Sequence, residues 1–254
     1  MAEPGPALNP IEQFALTKHL SITVGHYDVS ITTSTIFMAI IAAVTLWLMS
    51  MTAKGTPGVP GRMQSLGEMA YEFVEGMVRS AAGAEAMKFF PLVFTIFMFV
   101  TLANLIGFFP FSFTVTSHII VTVLLALVVF FTVVIYGISQ HGLHFFKLFS
   151  PSGVPWYIKP LVIPIEIISF FTRPVSHSVR LFANMLGGHI MVNVIGGFVV
   201  MLLAASAAFK VLAIAPFILV VGLEALELLV ALLQAYVFAM LTCMYLNDAL
   251  HPGH

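Results

Sequence analysis

With 254 residues, 60% of them hydrophobic and only 8% charged, this chain falls outside the range of soluble domains, where about a quarter of residues carry charge. A net charge of −1 provides no basic stripe for nucleic acid, and a single cysteine, Cys243, excludes a disulfide framework or a thiolate metal site. These bounds leave an all-α polytopic membrane protein embedded in lipid.

The opening stretch MAEPGPALNPIEQF lacks the basic start and early apolar core of a secretion signal. It also lacks the Arg- and Ser-rich character of a transit peptide, so the first apolar span is expected to be retained. Residues 1–30 read as an external segment, and 31–52 as a first transmembrane helix, since Ile31 to Met51 is apolar and long enough to cross hydrocarbon. The linker KGTPGVPG (Lys54–Gly61) then breaks the chain.

Residues 62–86 read as an amphipathic helix. Glu68, Glu72, Glu75 and Arg79 share one face, and Leu66, Met69, Ala70, Phe73, Val74 and Met77 the other. Such a helix lies on a membrane surface or against a partner. Residues 88–140 form a transmembrane hairpin of two spans, Phe89 to Phe109 and Ile119 to Ser139. Asn104, mid-span in TLANLIGFFP, is expected to hydrogen-bond to a neighbouring helix. His141 and His144 have metal-compatible spacing, but two ligands alone read as interfacial residues.

Residues 156–248 form a second hairpin from two overlong apolar runs, Pro160 to Ala208 and Val211 to Leu246. Each exceeds the hydrocarbon thickness, so each is either strongly tilted or broken partway. Tilt is the preferred reading, because Pro174 and the Gly-Gly pairs permit bending without forcing a stop. Lys54, Arg62, Arg79 and Lys88 cluster in the first connection, while PFSFTVTS after Phe109 has no charge. The positive-inside rule places the N-terminus outside and the C-terminus on the cytoplasmic or matrix side.

Glu166, Arg173, His177, Arg180 and Asn184 recur at helical spacing in the first long run, a polar stripe about 27 Å long. His189, nine residues past Arg180, falls on the opposite side. The second run carries Glu224, Glu227 and Gln234, with Tyr236 nearby. A mid-membrane arginine costs roughly 2.5–3.5 kcal/mol on insertion scales. Titratable groups strung along such helices can form an ion path. The plainer alternative is that they pair across helices as glue, and Arg173 could equally snorkel to an interface. Gly187-Gly188 and Gly196-Gly197 permit close backbone approach, and beside Arg180 they suggest a face kept lean for a moving neighbour.

PVSHSVRLFANMLGGHI (Pro174–Ile190) and LLVALLQAYVFAMLTCMYL (Leu228–Leu246) resemble the two signature helices of subunit a of the F-type ATP synthase, of the alphaproteobacterial and mitochondrial type. TLANLIGFFP, the PIEIIS segment (Pro164–Ser169) and the amphipathic helix add to the likeness. The resemblance implies about five membrane-embedded helices plus one interfacial helix, the last two tilted against a ring of c subunits. It implies a stator subunit that couples proton flow to ring rotation and ATP synthesis through two offset half-channels. Arg180 would be the essential arginine facing the ring carboxylate, with Asn184 and Gln234 beside it. His189 and Glu227 would form the inlet half-channel and Glu166 the outlet, with Glu224, Arg173 and His177 as further proton-path candidates. Leu181 and Asn184 would then be positions to cross-link to the ring.

The implied partners are the c-ring, peripheral-stalk b-type subunits, the rest of the complex and membrane lipid, with no cofactor, no metal and no enzyme activity of its own. The location would be a bacterial inner membrane or a mitochondrial one. An independent channel or secondary transporter would be expected to show an internal repeat, and none is convincing here. An intramembrane enzyme lacks its motifs, with neither HExxH nor Gly-x-Ser-x-Gly present. A haem subunit needs facing histidines, whereas His177 and His189 lie on one helix.

Overall fold

The computed structural model describes residues 18–20, 23–24, 27–28, 30–53, 61–109, 112–149, 155–205 and 207–250. Ahead of the first helix, β1 (Lys18–Leu20) pairs antiparallel with β4 (Ile31–Thr32), and β2 (Thr23–Val24) with β3 (Tyr27–Asp28) between them. These short pairs are an addition to the expected external segment, the rest of which lies outside the described residues. So does most of the Lys54–Gly61 linker.

The remaining elements are helical. They are α1 (Thr33–Ala53), α2 (Arg62–Ala82), α3 (Phe90–Gly107), α4 (Ile119–His141), α5 (Lys159–Ala204), the short α6 (Ala207–Leu212) and α7 (Ile214–Leu250). Five stretches are long and apolar enough to cross a membrane, within α1, Ala84–Gly107, α4, α5 and Phe209–Leu250. The all-α polytopic fold follows from those lengths and compositions.

α4 illustrates how an apolar helix is divided between protein and lipid. Leu124, Val128, Phe131 and Ile135 form an exposed stripe at helical spacing, while Ala126, Val129, Val133 and Gly137 are buried. The buried positions are glycine, alanine or valine, while the larger Leu124, Phe131 and Ile135 face outward, as close packing in lipid favours. The largest core joins α2, α3, α4 and α7 through Val74, Val78, Val93, Val100, Val129 and Phe238.

α2 is the expected amphipathic helix, and a glycine in the left-handed region, Gly83 at φ 76°, ends it. Its Glu75–Arg79 pair is exposed, while Val74, Met77 and Val78 are buried in that core. Leu66, Met69 and Phe73 stay exposed, so only part of the apolar face expected from sequence is covered within the chain.

α5 is a single helix of 46 residues with Pro164 and Pro174 inside it. Of the two readings open from sequence, an unbroken helix is the one observed. The hydroxyls of Thr172 and Ser178 bond back to the carbonyls of Ser169 and Val175 on either side of Pro174. Pro174 has no N–H for the carbonyl of Phe170, a loss that helices in lipid tolerate.

Candidate functional site

The polar residues gather along the seam between α5 and α7. Seen down α5 at 100° per residue, the side chains at Arg173, Asn184 and His177 lie progressively further round from Arg180 in one direction. That direction is toward α7. Arg173 donates to Asp248 Oδ2 at 2.6 Å, and Asn184 donates to Gln234 Oε1 at 2.9 Å. His177, rotated furthest, is buried to 3% exposure with its ring against Phe238 and Tyr245. The stripe expected to lie on one face is therefore split. His177 belongs to the packed interior, whereas Arg180 stands at the exposed edge.

Among the described residues Arg180 has no ion-pair or hydrogen-bond partner. On the same side of α5, Ala183, Met191, Val194 and Phe198 are exposed. A cation is thus set in an apolar face that no other described residue covers. Leu181, proposed from sequence as a cross-linking position, is fully buried, because it lies 100° further round toward α7. Asn184 remains exposed and suits that purpose.

On the far side of α5, His189 Nδ1 lies 3.1 Å from Glu227 Oε1, and Glu227 is 6% exposed. That separation suits an ion pair, while neither Glu227 oxygen receives a hydrogen bond among the described residues. Gly188 makes the approach possible, since a Cβ there would sit 2.8 Å from the Glu227 carboxyl carbon. The close neighbour of this glycine is thus a carboxylate rather than a backbone. Gly187 and Gly196 face open space. Glu224, one turn before Glu227, is exposed. Glu166 lies half-buried toward the N-terminal end of α5 and makes no ion pair among the described residues.

Sequence reasoning missed the connection between α3 and α4. Thr114 Oγ1 lies 2.9 Å from His189 Nε2, and Thr116 donates to Asn104 Oδ1 at 2.8 Å. Asn104 in turn donates to the carbonyl of Ala231 at 3.0 Å, which fulfils the expected interhelical bond. The signal available was the hydroxyl content of TVTS in an uncharged loop, read only for its lack of charge. His141 Nε2 meets the carbonyl of Leu250, and the side chain of His144 lies outside the described residues. Among the described residues no cluster of three metal-ligating side chains occurs.

A family model described as ATP synthase A chain matches residues 32–247. The chain belongs to that family. Relatives named ATP synthase subunit a extend the match to nearly its full length. That from Rhodopseudomonas palustris strain HaA2 is 57% identical over 249 residues, covering 98% of this chain and 100% of the relative. That from Mesorhizobium japonicum is 58% identical over 247 residues, covering 97% and 98%. This chain is accordingly a multi-pass membrane subunit of the ATP synthase, with a part in proton transport and no enzyme activity of its own. Within an ATP synthase A chain, the buried Glu227–His189 pair and the exposed Arg180 sit on opposite sides of one helix. Arg173, Asn184, His177 and Gln234 line the α5–α7 seam between these two positions and the Asp248 end.

Proposed function

We propose that this subunit carries the two half-channels of the motor and presents Arg180 to an ionisable carboxyl on a rotating c-ring. The observation that carries the reading is an unpartnered guanidinium on an uncovered apolar face, with a carboxylate–imidazole pair buried behind the same helix. A protonated ring carboxyl is neutral and can pass through lipid, while the ionised form is costly there. The guanidinium stays charged at any working pH and favours ionisation of a carboxyl that reaches it. The same positive charge repels protons, so the two half-channels do not short-circuit.

His189 and Glu227 then form the inlet, open to the side that carries the uncharged α3–α4 connection. Glu166 marks the outlet, toward the side of Arg173 and Asp248. Asn184 and Gln234 brace the seam beside Arg180, while Glu224, Arg173 and His177 tune the field along it. Each proton crossing gains about 2.3 kcal/mol per 100 mV, which biases ring movement. The ring packs on the α5–α7 face, b-type stalk subunits pack elsewhere on the bundle, and the assembly sits in a bacterial inner membrane. The N-terminus lies outside and the C-terminus in the cytoplasm.

The test is Arg180→Ala in the complete complex reconstituted into vesicles. ATP-driven acidification should disappear while subunit composition stays normal. Retention of coupled pumping would sink the assignment.

A further inference from the structure

The hydroxyl beside His189 is not accounted for by the half-channel reading, on which the following inference rests. The imidazole is held between two oxygens, with Glu227 Oε1 3.1 Å from Nδ1 and Thr114 Oγ1 2.9 Å from Nε2. Thr114 is itself braced. Its carbonyl accepts from the Ser117 hydroxyl at 2.6 Å, and the Thr116–Asn104–Ala231 chain ties the same turn to α7. Gly107 leaves room for it, because a Cβ there would come within 2.8 Å of Thr114 Oγ1.

A hydroxyl both donates and accepts, which suits a ring that gains and loses protons. When Nε2 carries a proton, Thr114 Oγ1 accepts it and turns its own hydrogen toward the carbonyl of Gly107, 3.4 Å away. When Nε2 is bare, the same hydrogen turns to Nε2. In both states Nδ1 keeps facing Glu227, where a proton can pass from Oε1–H to Nδ1 and back with no other reactant. We propose that Thr114 is a positioning residue that holds the His189 imidazole aligned on Glu227 in every protonation state.

Among the described residues, the ionisable groups on the surrounding elements are Glu227 and Glu224 on α7 and His118 at the end of the connection. On this side α3 presents the neutral amide of Asn104, and Phe108 just past its end presents its ring. Thr114 is thus a polar partner that can follow the ring without adding charge.

The test compares Thr114→Ser and Thr114→Val in the complete ATP synthase, reconstituted into vesicles and driven by ATP across the neutral pH range. Valine keeps the shape and removes the hydroxyl. It should slow acidification about tenfold, the scale of losing a group that orients a working imidazole, and narrow the pH range of pumping. Serine should stay within about twofold of the parent, since the hydroxyl is retained. Solid-state nitrogen NMR of the His189 ring should show one ordered environment in the parent and serine complexes and a mixture in the valine complex. Gly107→Ala, which displaces Thr114 while keeping its hydroxyl, should reproduce the pumping defect. It also decides the matter should the valine complex fail to assemble. A valine variant with parental rate, pH range and ring signals overturns the inference. If the parent complex pumps without Arg180, the underlying half-channel reading fails instead.

Discussion

Replacing Gly188 by alanine puts a methyl group where the Glu227 carboxylate now lies. The new Cβ would be 2.8 Å from both Cδ and Oε1 and 3.1 Å from Cγ. Ordinary contact between such atoms is about 3.5–4.0 Å, so the carboxylate must move by roughly 0.7–1.2 Å. Since it now stands 3.1 Å from His189 Nδ1, that displacement takes it out of easy proton-transfer range. Stability should change little. The far end of a flexible side chain gives way, at an overpacking cost of about 1–3 kcal/mol, and replacing glycine within a helix gains back about 1 kcal/mol. Pumping should suffer far more, because a misplacement of about 1 Å can cost a factor near a hundred. ATP-driven acidification by reconstituted complexes measures the effect, with assembly followed by subunit composition. Gly76→Ala on α2 is the control, as nothing lies within 4 Å of its would-be Cβ. If the Gly188 variant pumps as fast as the Gly76 variant, the buried pair does not carry the proton.

Two further outcomes test the α3–α4 connection. Burial holds the His118 imidazole below its ordinary pKa of 6.5, so the folded connection binds a proton less readily than the unfolded one. Its stabilising contribution is therefore complete above pH 6.5 and is lost as pH falls from there toward the lowered folded value. Amide exchange across 112–118, corrected for intrinsic rates, should speed up on acidification in the parent and not in His118→Gln. Asn104→Leu removes the bonds to Ala231 and Thr116 and leaves the buried Thr116 hydroxyl without its acceptor. Thermal unfolding of the purified complex should register a loss of about 1–3 kcal/mol. An unchanged transition would show that the connection is anchored by other contacts.

The spans were legible because apolar runs of sufficient length have few alternatives in lipid, and Arg180, His189 and Glu227 stood out as costly groups in such runs. Asn104 was legible for the same reason. His177 was misplaced because a helical wheel gives direction but not the identity of the neighbour. A rotation of 60° from Arg180 was enough to turn it into α7. Leu181 failed as a surface position for that reason too. Thr114 was invisible from sequence because its role depends on a contact across 75 residues. A hydroxyl in a loop carries no periodic signal that would mark it. The short strand pairs escaped notice because two- and three-residue ladders leave almost no pattern to read.

The unbroken course of α5 has a geometric consequence. Its 46 residues extend about 69 Å at 1.5 Å each, whereas a membrane with its headgroups is about 40–45 Å thick. Kept within that thickness, the helix leans about 50° and its two ends stand about 50 Å apart in the membrane plane. Helices pack about 8–10 Å from axis to axis, so that distance spans about five neighbours. Depth has been converted into sideways travel. With the inlet and outlet proposed above toward its two ends, a proton could not simply fall through the membrane, and a carrier moving in the plane would be required.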